Sequence, residues 1–155
     1  MNNNIKILIT GANGYIGNCL YHFLGRKFKF VGIDKEKTFN DKIYQCDLLN
    51  TKKLDQILKK ENPEVVVHLA AQSLVDETIN KKKYYKNNIT ATNNLIKSMK
   101  RNNITKLVFS STAAVYQHSS IALKESSNLQ PSSTYAKTKL ICEKKIKKNK
   151  DIKSI

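Results

Sequence analysis

Short continuous apolar runs alternate along the chain with stretches whose apolar residues recur every three or four positions. The first run, Lys6-Ile7-Leu8-Ile9-Thr10, is bounded by Gly11 and predicts a strand buried on both faces. Tyr15 to Gly25 carries Ile16, Cys19, Leu20, Phe23 and Leu24 at helical spacing. Phe28 to Ile33 predicts a second strand and Lys42 to Cys46 a shorter third. A helix follows, with Thr51 as N-cap, Leu54, Ile57 and Leu58 on one face, and Asn62-Pro63 as its stop. Glu64 to Leu69, built on Val65-Val66-Val67, predicts a fourth strand. Tyr84 to Arg101 predicts one long helix that turns Ile89, Leu95, Ile96 and Met99 inward. Lys106 to Ser110 predicts a fifth strand, and Gln117 to Ser133 a polar loop. Tyr135 to Lys148 predicts a helix carrying Leu140, Ile141 and Ile146, and Ile152 to Ile155 the opening of a sixth strand.

Strands that alternate with helices in this way belong to an α/β protein with a mostly parallel sheet covered on both faces. A doubly wound sheet, truncated at the sixth strand, is the expected architecture. The chain has 155 residues and is 40% hydrophobic, which suits one packed domain over 1–155 and excludes two.

Charge changes the picture little. Against 12 acidic residues stand 28 basic ones, a formal net charge of +16. Such an excess raises nucleic acid as a partner. However, only Arg26 and Arg101 are arginines, the residue preferred for bidentate phosphate and base recognition. The lysines are spread along the chain, densest at Lys81-Lys82-Lys83 and around Lys144 to Lys148, and read as solvated helix ends and faces. Weak polyanion binding is expected, and specific nucleic-acid binding is not. No run approaches the ~18 apolar residues of a membrane span. Met1 to Asn4 is polar and precedes only a short apolar run, so no signal peptide is visible and a cytoplasmic protein is expected. Cys19, Cys46 and Cys142 are scattered and predict neither disulfides nor a metal site.

The chemistry begins between the first strand and first helix, at Thr10-Gly11-Ala12-Asn13-Gly14-Tyr15-Ile16-Gly17. Gly11 can take the tight turn, Gly14 can let a pyrophosphate approach, and Gly17 can let the helix pack on the strand. The helix N-terminus then offers N–H groups and a positive dipole end to phosphates. Asp34 closes the second strand 17 residues after Gly17, near the roughly 20-residue spacing of an acid that accepts the ribose hydroxyls. A carboxylate there disfavours a 2′-phosphate, so NAD is expected over NADP, with Lys35 slightly blurring the choice. Asp47 and Leu48 follow the third strand, where a carboxylate can meet the adenine amino group and a leucine its ring.

A second constellation lies near the other end of the chain. Tyr135 and Lys139 are four residues apart and share one helix face. A phenol of reference pKa about 10 is a poor base at neutral pH, and a neighbouring ammonium is expected to lower that pKa. Ser110-Ser111-Thr112 end the fifth strand, at the edge where doubly wound sheets bind ligands. Thr112 can orient a substrate oxygen and share its proton with Tyr135, an arrangement suited to hydride transfer between an alcohol carbon and a nicotinamide.

Together these residues resemble the extended short-chain dehydrogenase/reductase family with its Rossmann-type sheet, and within it the NAD-dependent epimerases and dehydratases, UDP-glucose 4-epimerases most of all. The resemblance is collinear and also covers His68-Leu69-Ala70-Ala71, Tyr84-Tyr85-Lys86-Asn87-Asn88 and Phe109 to Tyr116. It implies that Tyr135 is the base, Thr112 its partner and Lys139 the holder of the cofactor. It implies that Leu69, Ala70 and Ala71 line the nicotinamide half and that Asn87 contacts the cofactor, with Ser110 beside them. The reaction implied is C4 oxidation and re-reduction of UDP-glucose or UDP-galactose on tightly held NAD. Pairing of two copies through the helices at Tyr84 to Arg101 and Tyr135 to Lys148 is implied as well. Dehydratases usually carry an Asp-Glu pair after the Thr, where Ala113-Ala114 stand here. Gln117, Thr134 and Ser73 also depart from the usual glycine, proline and lysine, which bears on substrate choice more than on cofactor binding. Family members run to roughly twice this length, beyond what one domain of this size holds. The chain is therefore expected to be the amino-terminal part of an epimerase, whose activity draws on a complementing carboxyl-terminal half. The alternatives are a noncatalytic dinucleotide-binding fragment of a split or decaying gene, another NAD-dependent sugar-nucleotide epimerase or dehydratase, and a basic nucleic-acid binder on the same scaffold.

Overall fold

The computed structural model describes residues 5–38, 40–76 and 78–155. The polar start, Met1 to Asn4, on which the signal-peptide reading rests, lies outside the described residues. Six parallel strands form one sheet: β1 (Lys6–Thr10), β2 (Lys29–Asp34), β3 (Ile43–Gln45), β4 (Val65–His68), β5 (Lys106–Phe109) and β6 (Lys153–Ser154). Their order is β3-β2-β1-β4-β5-β6, so the chain reverses its direction of travel between β1 and β4. Register follows the alternation of side chains, with Leu8 opposite Val31 on one side and Val66 on the other. The expected doubly wound sheet is present, and β6 forms as a two-residue strand at its edge.

The two faces are covered unequally. Leu8, Ile33, Val66 and Leu107 point to one side and are buried under α2 (Thr51–Glu61), α4 (Ala91–Arg101) and α5 (Thr134–Lys148). Leu54, Ile57, Leu58, Leu95, Ile96, Met99 and Ile146 supply the helical half of that core. On the other side Ile9 and Phe30 pack with the partly buried Leu20 and Leu24 of α1 (Tyr15–Leu24). Phe23 and Ile16 of α1 remain 73% and 53% exposed, so only part of its apolar stripe is used. Val108, facing the same side from β5, is 38% exposed although its strand lies inside the sheet.

Two boundaries differ from the sequence reading for local reasons. The cap of α2 is Asn50, whose Oδ1 accepts from the Lys53 N–H at 3.1 Å, one residue before the expected Thr51. Asn62 does end that helix, in the left-handed conformation at φ 41°. The expected single helix over Tyr84 to Arg101 is broken instead. A short α3 (Lys81–Tyr84) runs into a π-helical segment, Tyr85–Thr90, before α4 begins. The wider turn shifts the phase of the inward face. Asn88 is buried where the 3.6-residue period assigned Ile89, which is only partly buried.

Gly17 is the one fully buried residue of α1. A Cβ at this position would come within 2.6 Å of the Ala12 carbonyl oxygen and 2.8 Å of that of Gly11, both rigid backbone atoms. Gly17→Ala is therefore expected to lower stability by about 1–3 kcal/mol, more than the ~1 kcal/mol that alanine gains as a helix former. The fall in the urea unfolding midpoint measures it.

Candidate active site

The carboxyl ends of β1, β2, β4 and β5 open on a cavity of about 460 Å³. Its floor is the glycine turn. Gly11 sits at φ +72°, and a Cβ there would lie 2.8 Å from the Ala70 nitrogen, so the turn rests directly on the backbone leaving β4. Gly14 is the N-cap of α1 and supplies no side-chain cap. By contrast Asn50, Asn80 and Ser133 each cap their own helix with a side-chain oxygen. The first N–H groups of α1 therefore have no partner within the helix, and Gly14, Tyr15, Ile16 and Gly17 line the cavity.

Asp34 stands opposite, at the end of β2. Its Oδ2 accepts the Asn13 N–H at 2.9 Å and its Oδ1 the Glu36 N–H at 3.0 Å, which fixes the carboxylate while it lines the cavity. Asn13 of the glycine turn does not line the cavity. Its backbone holds Asp34, and its side chain donates to the Glu36 carbonyl at 3.5 Å. Asp47 and Leu48 continue the wall past β3. Asp47 Oδ1 accepts from the Leu49 N–H at 2.8 Å, and the Leu48 carbonyl accepts from Asn94 Nδ2 of α4 at 3.1 Å. Leu69, Ala70 and Ala71 lie after β4, and Asn87, Ser110, Tyr135 and Lys139 line the side of the cavity nearer β5. Ile33, Lys35, Cys46, Gln72 and Ser73 also line it. Ile33, Cys46 and Gln72 each adjoin a residue singled out by motif, so contiguity along the backbone was the available signal, while Lys35 and Ser73 stand among the residues the sequence already singled out. Ala91, four positions after Asn87, is the exception.

A buried polar hub, which sequence reasoning did not find, ties these walls together. His68 Nδ1 pairs with Thr10 Oγ1 at 2.6 Å and His68 Nε2 with Thr92 Oγ1 at 2.9 Å. Thr10 Oγ1 also accepts from the Ala70 N–H at 3.3 Å, and the Cys142 thiol reaches Thr92 Oγ1 at 3.6 Å. Burial, and then the Lys139 ammonium, push the His68 pKa down to about 3, so the ring is neutral. Asn88 forms a second link. It accepts from the Gln72 N–H at 2.7 Å and donates to Thr138 Oγ1 at 2.9 Å, joining the loop after β4 to α5. His68 ended an apolar run and Asn88 lay in a segment named for its resemblance, but nothing along either segment pointed to the partner on another element.

Tyr135 and Lys139 lie on the face of α5 that meets the cavity. Thr112, at the exit of β5, is near enough to Tyr135 to bear on its titration. Thr112 itself stays behind the cavity lining, with its Oγ1 accepting from the Ala114 N–H at 3.2 Å. The electrostatics differ from the expectation. Burial raises the Tyr135 pKa, and the lowering influence is Thr112, not Lys139. The reason is geometric: Lys139 Nζ sits 4.3 Å over the Phe109 ring and feels Cys142 and Glu143. Lys139 is 3% exposed, and burial drops its pKa to about 8, against those two raising influences. Among the described residues no cluster of three or more His, Cys, Asp or Glu side chains forms a metal site, and no helix is long and apolar enough to cross a membrane.

Comparison with known proteins agrees with this geometry. The family model of the NAD dependent epimerase/dehydratase family matches residues 7–151. The chain is 36% identical over 153 residues to a UDP-glucose 4-epimerase of Halalkalibacterium halodurans, covering 90% of this chain and 45% of that protein. It is 32% identical to a dTDP-D-glucose 4,6-dehydratase of Dictyostelium discoideum, covering 86% of this chain and 38% of that protein. The crystal structure of the Brucella ovis UDP-glucose 4-epimerase in complex with NAD superposes with a TM-score of 0.89 at 26% identity, covering 97% of this chain and 50% of that one. The UDP-Glc/GlcNAc 4-epimerase of Campylobacter jejuni superposes at 0.86 with 30% identity, covering 97% of this chain and 51% of that one. The chain thus spans about half the length of the curated relatives it matches.

Two measurements follow from the buried groups. A histidine at about 3 in the folded chain and 6.5 when unfolded binds more protons unfolded, so its stabilising share is full above pH 6.5 and is lost as pH falls toward 3. Stability is expected to fall by up to about 1.4 kcal/mol per pH unit from this group, and His68→Gln to flatten the slope of urea midpoints between about pH 5 and 6.5, above the carboxylate range. Lys139 is also depressed, so its burial costs stability below about pH 8 and the cost fades as pH rises toward 10.5. Lys139→Met is expected to raise the stability of the ligand-free chain at pH 7 by on the order of 1–3 kcal/mol, with a smaller gain above pH 8. Denaturation at the two pH values reads the difference.

Proposed function

The chain belongs to the NAD dependent epimerase/dehydratase family, and on that basis we propose that it binds NAD and serves a sugar-nucleotide 4-epimerase that interconverts UDP-glucose and UDP-galactose. The observation that carries this reading is that Tyr135 and Lys139, with Thr112 near the Tyr135 phenol, face a cavity whose far wall joins an uncapped helix N-terminus to Asp34.

The residues fit a dinucleotide. A Cβ at Gly14 would meet only the Gly11 carbonyl oxygen, at 3.1 Å, so this backbone is open to the cavity, and the α1 N–H groups beside it suit a diphosphate. Asp34, already braced by two N–H groups, has lone pairs left for two ribose hydroxyls and would repel a 2′-phosphate. Lys139 suits the ribose next to the nicotinamide. When bound, NAD would supply the hydride acceptor and donor, together with a positive ring that favours the Tyr135 phenolate.

Tyr135 then removes the proton from the sugar C4 hydroxyl at its phenolic oxygen, with Thr112 orienting that hydroxyl and sharing the proton. In the return half the phenol gives the proton back to the same oxygen, so one base serves both directions. Partial burial holds Tyr135 protonated in the ligand-free chain, so the phenolate forms only once the positive ring is bound. The proposal assigns the grip on the uridine diphosphate to the further length that the relatives carry, in one polypeptide or by complementation. Elimination of water would need an added acid and base near Thr112. The turn at Ala113–Val115 offers only alanine and valine side chains, which favours epimerisation over dehydration.

Calorimetry is expected to show NAD binding at least tenfold tighter than NADP, about 1.4 kcal/mol, with Asp34→Asn weakening NAD and closing most of that gap. Tyr135→Phe should leave NAD affinity within about twofold while cutting UDP-galactose turnover by the chain, with its complement where required, by about 10²–10⁴. Absence of NAD binding at millimolar concentration would overturn the reading.

A further inference from the structure

One acidic side chain touches both halves of this site and has no part in the proton transfer described above. Glu143 follows Lys139 by one helical turn, so Tyr135, Lys139 and Glu143 lie at i, i+4 and i+8 along one side of α5. Its Oε1 accepts a hydrogen bond from the Ser111 hydroxyl. Ser111 stands between Ser110, which lines the cavity, and Thr112, which bears on the Tyr135 titration. Among the described residues the Ser111–Glu143 contact is the one side-chain hydrogen bond that joins the segment Ser110–Thr112 to α5.

We propose that Glu143 is a positioning residue: by holding Ser111 it clamps the exit of β5 onto α5 and so sets the approach of the Thr112 hydroxyl to the Tyr135 phenol. The inference rests on the reading of Tyr135 and Thr112 as the reacting pair. Its physical basis is leverage. The chain leaves β5 through three residues and enters a short turn at Ala113–Val115, anchored by the buried Val115 but with Ala113 and Ala114 exposed beside Thr112. Proton transfer tolerates a displacement of only a few tenths of an ångström, so the position of the segment before that turn matters. A charge-assisted hydrogen bond one residue away removes that freedom.

Glu143 has a second, separable effect. Its carboxylate favours the ammonium form of Lys139, as does Cys142, while burial opposes it. The other groups that face Lys139 are His68 on β4, held neutral, and the Phe109 ring on β5. A glutamine at position 143 keeps an acceptor for Ser111 and loses the charge; an alanine loses both.

The two roles are read on the ligand-free chain by NMR, with ¹³C-labelled tyrosine and lysine and with Tyr135→Phe and Lys139→Met used for assignment. Thr112→Val sets the scale, since losing its hydroxyl should raise the Tyr135 pKa by roughly 0.4–1 pH unit. Glu143→Ala and Ser111→Ala are expected to raise it by most of that amount, and Glu143→Gln to restore the value of the unaltered chain. The Lys139 pKa should fall in both Glu143→Ala and Glu143→Gln and stay in place in Ser111→Ala. If Glu143→Ala loses its fold by far-ultraviolet circular dichroism, Ser111→Ala and Glu143→Gln carry the test. An unmoved Tyr135 titration in folded Ser111→Ala or Glu143→Ala, beside a shifted one in Thr112→Val, would overturn the proposal. So would Glu143→Gln shifting Tyr135 as far as Thr112→Val does. Loss of turnover or of NAD binding in the unaltered chain would count against the functional reading instead, because the titration needs neither.

Discussion

The site depends on one close approach of backbone to backbone. At Gly11 the chain leaving β1 turns through a positive φ and lies against the nitrogen of Ala70, leaving no room for a side chain between them. That contact spans the point where strand order reverses, and it brings the glycine turn, the end of β4 and the N-terminus of α1 to one place. The Thr10–His68 hydrogen bond beneath it, with Thr10 also accepting from Ala70, holds the two strand ends in register. Everything the cavity offers a ligand, from free N–H groups to the braced Asp34 carboxylate, is referred to this junction.

Polar groups below the cavity follow a different logic from those in it. His68, Thr92, Asn88 and Thr138 are buried and hydrogen-bonded, so they fix the relative position of β4, the π-helical segment, α4 and α5. Lys139 is buried as well, but its neighbours are an aromatic face and two groups along its own helix. A cation kept there lowers the stability of the ligand-free chain, although the Glu143 carboxylate on the same helix offsets part of that cost. His68 is kept neutral by its burial and, to a lesser degree, by the Lys139 ammonium nearby.

The π-helical segment shows how the hub is fitted in. A regular helix from Lys81 to Arg101 would turn Ile89 to the core and leave Asn88 at its side. The wider turn brings Asn88 inward, where it meets Gln72 and Thr138, and leaves Asn87 lining the cavity. The irregularity is stabilised by hydrogen bonds to two other elements, which no period along one helix can register.

The sequence alone carried the sheet, its parallel strands and the glycine turn. Those follow from local chemistry: apolar runs of strand length, amphipathic periods, and glycines where a side chain would collide. It also carried Asp34, Asp47 and the Tyr135/Lys139 spacing, because strand ends and helix faces place those side chains by their own geometry. Tertiary structure decided what depends on residues far apart along the chain. His68 became a neutral hub, Asn13 a brace for Asp34, and Lys139 a partner of the Phe109 ring that leaves the Tyr135 phenol to Thr112. Ser111 and Glu143 met across 32 positions, and Asn88 and Thr138 across 50. Burial and the direction of a hydrogen bond belong to packed pairs of elements, and a pattern read along one strand or helix contains no information about its partner.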